Sequence, residues 1–452
     1  MRLSFVHPAI GHRQGERYIR SWQMEPLPVA TLAGLTPADI DLRFFDDRME
    51  MIDYDAPTDA AIISVETYTA RRAYQIASEF RRRGVPVIMG GFHASLMPDE
   101  VERHAEAVVV GEAEGVWPAL IDDLRHDTLR KRYQSTERLP LSGLKVDRRL
   151  FTGKRYLPVR LIETARGCRF PCNFCAIQTV FERSHRRRPV HEIVSELQSL
   201  RAHAKVFFFV DDNFAGDIPA AKELLRALEP LKLRWITQLS INAAHDEEFL
   251  DLLRRSGCVG VLIGFESLDE ANLRAMDKEF NTMRGGYEVA LANLRRHAIR
   301  IYATFVFGYE HDRRESFDAA LDFALRHRFY IAAFNHLTPF PGTALYRQLE
   351  ASGRLRFSSW WLDPHYRYND LPFMPQHLAP EEVTALCVET RRRFYRWSSI
   401  LRRGVDGVNR GDAFMFRNFW PINAMHRGDV SNRNGYPLGD EHWRGDLLEA
   451  TR

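Results

Sequence analysis

The sequence predicts an α/β protein: a flavodoxin-like doubly wound domain, then a partial (β/α)6 TIM-like barrel, then a mostly helical C-terminal segment. Three observations predict it. Short apolar runs alternate with amphipathic stretches over about the first 125 residues. A second, more regular alternation begins at residue 156. It stops near residue 352, where Trp, Tyr, Phe and Arg become frequent. Strands alternating with helices imply a mainly parallel sheet covered on both faces. At 452 residues the chain exceeds one ordinary core. The expected division is 1–130, a linker at 131–155, a barrel at 156–351 and a tail at 352–452.

In the first part, Leu3–Val6, Leu42–Phe45, Ala60–Val65, Val85–Met89 and Val108–Val110 read as strands. Ala70–Arg82 and Val116–Leu124 read as helices from their apolar spacing. Residues 126–155 are polar and charged, with Pro140 and Gly143, and read as a connection.

In the second part, the candidate strands are Leu157–Thr164, Val206–Val210, Leu233–Thr237, Val259–Gly264, Ile301–Phe307 and Ile331–Leu337. Pro189 suits a helix start ahead of His191–Leu197. Further helical stretches lie at 219–228, 246–256, 284–297, 315–327 and 343–351. Six βα units fall short of a closed eightfold barrel and leave one side open. In the tail, Pro380–Arg402 reads as one helix with a Tyr and Arg face. The aromatics Trp360, Trp361, Trp397, Phe414, Phe416, Phe419 and Trp420 suit either a substrate pocket or packing of the tail onto the barrel.

Sixty-three basic against 60 acidic residues leave a net charge of +3, too small for a nucleic-acid field. The runs Arg81–Arg83, Arg186–Arg188 and Arg391–Arg393 read as solvated faces. The apolar start at Leu3–Val6 is too short for a secretory leader, and no stretch reaches the length of a membrane span. A cytoplasmic protein is the expectation.

Five cysteines, three of them within eight residues, do not form a disulfide framework. Cys168, Cys172 and Cys175 follow the first barrel strand in the spacing C-x3-C-x2-C. They lie at a strand's C-terminal end, where βα barrels build their sites. Thiolates are soft ligands that favour iron–sulfur clusters or zinc. A four-iron cluster has four corners, so three cysteines leave one open to a substrate. A zinc site would need a fourth ligand such as His185.

This spacing, with an aromatic just before the last cysteine, resembles the signature of the radical S-adenosylmethionine (SAM) superfamily. The resemblance covers about 156–350. It implies a [4Fe-4S] cluster on Cys168, Cys172 and Cys175 that binds SAM and cleaves it to a 5′-deoxyadenosyl radical. It further implies SAM contacts from Phe174, from Asp212 in Phe208–Phe214, from Glu266 and Ser267 in Gly264–Ser267, and from Phe307 in Phe305–Gly308. Leu337–Thr343 resembles the ending of a sixth strand in related members.

Residues 1–125 resemble the cobalamin-binding domain that precedes the barrel in one branch of that superfamily. The passages are Trp22–Pro28, Ser64–Thr67, Gly90–Ser95 and Gly111–Glu114. They imply cobalamin contacts from Ser64, Thr67, Gly90, Gly91, His93 and Glu112. Phe5–Gly11 departs from the Asp-x-His-x-x-Gly pattern of methionine-synthase-type domains, so no histidine below the cobalt is expected there. The two domains together imply a methyltransferase acting on an unactivated carbon of a small-molecule, lipid or pigment substrate. An external electron donor of the flavodoxin or ferredoxin type would serve it. A radical cyclase, rearrangement or oxidative enzyme is the alternative, and a cobalamin or redox sensing module is the non-enzyme reading. Methylthiolation is rejected because residues 1–125 hold no cysteine. Tyr302, His336 and Arg391–Arg393 are candidate pocket residues.

Overall fold

The first sheet is made of nearly continuous apolar runs because helices cover both of its faces. A computed structural model describes residues 1–16, 18–135 and 137–449, the side chains of Met283 and Arg284 excepted. The strands are β1 (Arg2–His7), β2 (Asp41–Asp46), β3 (Ala60–Ser64), β4 (Val87–Gly90), β5 (Ala107–Val110) and β6 (Arg132–Gln134). All pair in parallel, in the order β2-β1-β3-β4-β5-β6. This is the flavodoxin order with one extra edge strand. The extra strand, β6, falls in the stretch expected to be a linker. It is three residues long and buries only Tyr133, too short to show an alternation.

The covering helices are α1 (Leu27–Leu35), α2 (Ala70–Arg82), α3 (Phe92–Leu96) and α4 (Trp117–Arg125). In α2 the residues Ala70, Ala73, Tyr74, Ala77 and Phe80 recur at helical spacing and are all buried.

The barrel opens with β7 (Val159–Ile162), followed by β8 (Ala165–Gly167), α5 (Ala176–Phe181) and β9 (His185–Arg187). β8 and β9 form an antiparallel hairpin around the cysteine loop, which periodicity alone does not reveal. Then come α6 (Val190–Leu200), β10 (Val206–Phe209), α7 (Ile218–Leu228), β11 (Trp235–Gln238), α8 (Glu247–Arg255) and β12 (Cys258–Glu266). The last units are α9 (Glu270–Ala275), α10 (Gly286–Arg296), β13 (Arg300–Phe307), α11 (Arg314–Arg326), β14 (Ile331–His336) and α12 (Ala344–Ala351). The six long strands are parallel, in the order β7-β10-β11-β12-β13-β14, so the barrel stays open between its first and last strands. On β13, Ile301, Ala303, Phe305 and Phe307 are buried, while Tyr302, Thr304 and Val306 alternate with them on the inner face.

The tail contains α13 (Pro380–Phe394), α14 (Trp397–Gly404) and α15 (Ala413–Arg433). The expected single helix at 380–402 is broken at Tyr395 and Arg396. The Tyr395 hydroxyl donates to the Ala332 carbonyl on β14 at 2.9 Å. Ile400, Met415 and Phe419 form a cluster with Val259 and Tyr330, at the N-terminal ends of β12 and β14. The chain then returns to the first domain: Gly439–Asp440 pairs in parallel with Gly11–His12, and the Arg433 guanidinium lies 5.4 Å over the Trp22 ring. No helix among the described residues is long and apolar enough to cross a membrane.

Candidate active site

The cysteine loop is set by a tight backbone turn. Gly167, at the end of β8, has φ +89°, and a Cβ there would lie 2.2 Å from the Ser184 carbonyl oxygen across the hairpin. Its N–H donates to Asp212 Oδ2 at 2.7 Å. The neighbouring Asp211 accepts from the backbone N–H groups of Thr164 and Ala165 at 2.7 and 3.0 Å, and also from the Thr164 hydroxyl. Two adjacent aspartates after β10 therefore hold the strand that leads into the loop. Burial lifts both carboxyls to about 6.

The three thiols are free; Cys168 and Cys175 both raise the titration point of Cys172, and Cys168 raises that of Cys175. Burial pushes Cys172 to about 12 and Cys175 to about 11, and raises Cys168 as well. Three desolvated thiols facing one another ionise readily only against added positive charge, which suits a cationic iron core. Among the described residues no three His, Cys, Asp or Glu side chains converge on a single metal ion. His185 is not aimed at a shared site: its Nε2 lies 3.3 Å from the Asn213 carbonyl oxygen. The donor set fits a multinuclear cluster better than zinc. The Asn213 amide donates to Cys168 Sγ at 3.8 Å, and Gln178 Nε2 donates to the Cys168 carbonyl at 2.8 Å.

Phe174 packs edge-on against Tyr309, whose hydroxyl donates to Asn173 Oδ1 at 2.8 Å. Glu266 sits at the end of β12 in the left-handed region, φ +61°, where the pairing with β13 slips by one residue. The slip aims its carboxylate at Lys278 Nζ, 2.6 Å away, and both residues are buried. Ser267 is buried, and its hydroxyl accepts from the Asp269 N–H at 3.1 Å within the turn into α9. Phe307 faces away from this group. It stacks on Phe317 of α11, centroids 4.0 Å apart. The alternation Ile301, Ala303, Phe305, Phe307 was the signal that places it outside. His336 is in register with Phe307 and shares that outer side. It is buried, and desolvation drops its ring to about 3. Tyr302 lies on the inner face. Arg391 is buried, whereas Arg392 is exposed and Arg393 pairs with Asp318.

The C-terminal end of the first sheet meets β8 and α5, the elements that flank the cysteine loop, across a cleft of about 320 Å³. Its walls include Leu32, Ile62, Ile88 and Trp117 from the first domain and Phe181 and Asp212 from the barrel. Ser64, Gly90, Gly91 and Glu112 line it, and so does Glu66, which sequence reasoning passed over. No charged group among the described residues bears on Glu66, and burial lifts its carboxyl to about 7. Gly91 has φ +111°, and a Cβ there would lie 2.7 Å from the Val65 carbonyl oxygen, so backbone packing already demands glycine. At Gly90 a Cβ would make only ordinary contact, 3.4 Å from Val109 Cβ. The cleft's mainly apolar wall suits the face of a large ring ligand such as the corrin of cobalamin.

Thr67 and His93 do not line this cleft. Their side chains meet at 3.3 Å inside the domain. His93 Nε2 lies 3.0 Å from Glu100 Oε1, and Glu100 also accepts from Tyr74 and Trp361. Phe92 and His93 are successive residues of α3, so they point about 100° apart. Phe92 takes the cleft and His93 the core. Glu112 lines the cleft but is engaged across it. It accepts from Arg186 at 2.7 Å and from Arg166 at 2.5 Å. Burial opposes its ionisation, yet the two guanidiniums hold its carboxyl below the usual range. Arg166 also binds Glu114 at 2.8 Å and Glu163 at 2.9 Å. His7, at the end of β1, is half-buried and pushed down to about 3, first by desolvation and then by Arg48.

The sequence model of the Radical SAM superfamily matches residues 162–324. The chain is 31% identical over 392 residues to bacteriochlorophyllide d C-12(1)-methyltransferase of Chlorobaculum tepidum, covering 84% of each chain. It is 27% identical to bacteriochlorophyllide d C-8(2)-methyltransferase of the same organism, covering 83% of this chain and 87% of the relative. In fold it is similar to the radical S-adenosylmethionine methyltransferase TsrM of Kitasatospora setae solved with cobalamin and a [4Fe-4S] cluster. That match has a TM-score of 0.66 and 17% identity, covering 95% of this chain and 99% of the other. The chain belongs to the radical SAM superfamily, in the branch whose barrel follows a cobalamin-binding-type α/β domain.

Proposed function

We propose that this protein is a cobalamin-dependent radical SAM methyltransferase acting on an unactivated carbon of a pigment- or lipid-class small molecule. One observation carries the reading: a cleft runs from the strand ends of the first sheet to β8 and α5, which flank the cysteine loop, and Arg166, two residues before Cys168, is clamped across it by Glu112 and Glu114. A ligand in the cleft and a cluster on the adjoining loop would be neighbours. When bound, the cluster supplies the electron that splits SAM, and cobalamin supplies the methyl group.

The chain's own residues then have distinct tasks. Cys168, Cys172 and Cys175 hold the cluster. Phe174 and Tyr309 form an aromatic wall beside it. Asp212 and Glu266 place carboxylates at the ends of β10 and β12, and Ser267 holds the turn after β12. Ser64, Glu66, Gly90 and Gly91 line the cobalamin side, with Glu112 as its rim. Thr67, His93 and Phe307 are outside this assignment because they face the core. The substrate class is supported by relatives named for methylating bacteriochlorophyllides and by a hopanoid C-2 methylase of Rhodopseudomonas palustris, 26% identical over 396 residues. An external one-electron donor of the flavodoxin or ferredoxin type completes the proposal.

The test is anaerobic purification with iron, sulfide and cobalamin analysis, followed by incubation with methyl-labelled SAM, a strong reductant and pigment or hopanoid acceptors. Cluster, cobalamin, 5′-deoxyadenosine and label on an acceptor carbon are the expected result. A loaded protein that makes no 5′-deoxyadenosine overturns the radical reading, and one that makes it without ever passing on label overturns methyl transfer.

A further inference from the structure

The segment between α9 and α10 is pinned to the cysteine loop. Asn173 Nδ2 donates to the Ala275 carbonyl at 2.5 Å, and the Asn173 N–H donates to the Met276 carbonyl at 3.2 Å. Phe170, between the first two cysteines, stacks on Phe280 with centroids 3.8 Å apart and planes 19° apart. Lys278 is carried between these contacts, so its ammonium is delivered to the loop by backbone and ring packing.

We propose that Lys278 sets the reduction potential of the cysteine-bound cluster: Glu266 and the Phe170–Phe280 stack hold its ammonium beside the thiolates, and that fixed positive charge makes the cluster easier to reduce. The inference rests on the radical SAM reading above and deepens it by assigning a charge-setting residue.

A buried ammonium is costly unless it is paired. Lys278 is 8% exposed and, among the described residues, has one carboxylate partner, Glu266, at 2.6 Å. The space for this pair is kept by Gly264. A Cβ there would lie 2.1 Å from Glu266 Oε1 and 2.9 Å from Lys278 Nζ. The pair is placed by geometry. The Lys278 ammonium lies 6.0 Å from the centroid of Phe280, the ring that stacks on Phe170 between Cys168 and Cys172. A cluster on three thiolates gains negative charge when one electron arrives from an external donor, and nearby fixed charge shifts that equilibrium.

The test uses full-length protein reconstituted anaerobically, without SAM, titrated with dithionite and mediators while the reduced cluster is followed by electron paramagnetic resonance. Iron and sulfide per chain report loading. Lys278→Met and Lys278→Gln are expected to stay loaded and to lower the reduction equilibrium about tenfold, equal to about 59 mV for one electron. Lys278→Arg, which keeps the charge, is expected to stay close to wild type. Loaded neutral variants with an unchanged midpoint overturn the inference. So does loss of cluster in both neutral variants while Lys278→Arg stays loaded, because that assigns Lys278 to holding the cluster. Failure of the underlying reading appears separately, as wild-type protein that assembles no cluster or cleaves no SAM.

Discussion

The two parallel sheets present their C-terminal ends to one cleft, but with opposite chemistry. The first sheet offers apolar walls, the glycines Gly90, Gly91 and Gly111, and one carboxyl, Glu66, that has no charged partner among the described residues. The barrel offers three thiols, paired charges and aspartates locked onto backbone N–H groups. The difference follows from what each end would hold. A large, largely neutral macrocycle is best received by area and shape, and a small charged cluster by fixed charge and hydrogen bonds. The ion cluster of Arg166 with Glu112, Glu114 and Glu163 is the seam where the two chemistries are kept in register.

The largest effect expected from breaking this comparison is on the barrel side. Changing Cys168, Cys172 and Cys175 to Ala should remove bound iron and abolish 5′-deoxyadenosine formation, while cobalamin retention by the first domain persists. Iron analysis and visible absorbance measure both, and iron retained at wild-type level would refute the assignment of the loop.

Breaking the seam comes next. Arg166→Met leaves Glu114 and Glu163 without their guanidinium, and Glu112 with Arg186 alone, in a largely buried site, so folding should weaken by about 3 kcal/mol. A thermal melt of the cofactor-free protein reads this directly. An unchanged midpoint would mean the clamp carries no weight.

His93→Ala sharpens the contrast within the first domain. It removes a partner of Glu100 and opens a cavity beneath Trp361, at a cost of about 2–3 kcal/mol. Cobalamin affinity in equilibrium dialysis should move less than about threefold, because RT-scale changes are all that a residue outside the cleft transmits. A hundredfold loss would return His93 to the ligand.

The smallest effect is a pH dependence. The Glu66 carboxyl titrates near 7 in the folded protein against an ordinary value of 4.5. The unfolded chain releases this proton first, so folding stability falls as pH rises through that window. Glu66→Gln should remove that fall. Melting midpoints of wild type and variant, compared at about pH 5 and about pH 8, carry the sign. Parallel profiles would show that Glu66 is well solvated.

How much of this was legible beforehand depended on distance along the chain. The six barrel strands and their helices appear within a few residues of their apolar runs, and Ala70–Arg82 is the helix its spacing predicts. The cysteine trio is local, and so is the dipeptide Asp211-Asp212 that follows β10. The edge strand β6 and the β8–β9 hairpin were not legible. Each is three residues long, and three residues carry no period. Thr67 and His93 were assigned to the ligand from their motif, but motif position says where a residue falls on a turn and not which way it points.

The sequence by itself determined the long strands and helices and the domain class, and it is the source of the proposed ligand set of the cluster, because each is written in residue type and short spacing. Only the tertiary structure decided which strand-end residues face the cleft. It also paired Glu112 with Arg166 across 54 residues and Glu266 with Lys278 across 12. The physical reason is that a buried charge is tolerated only beside its partner. Partners brought together by sheet twist, a slipped register at Glu266 and a stacked Phe170–Phe280 pair leave no periodic mark in the chain.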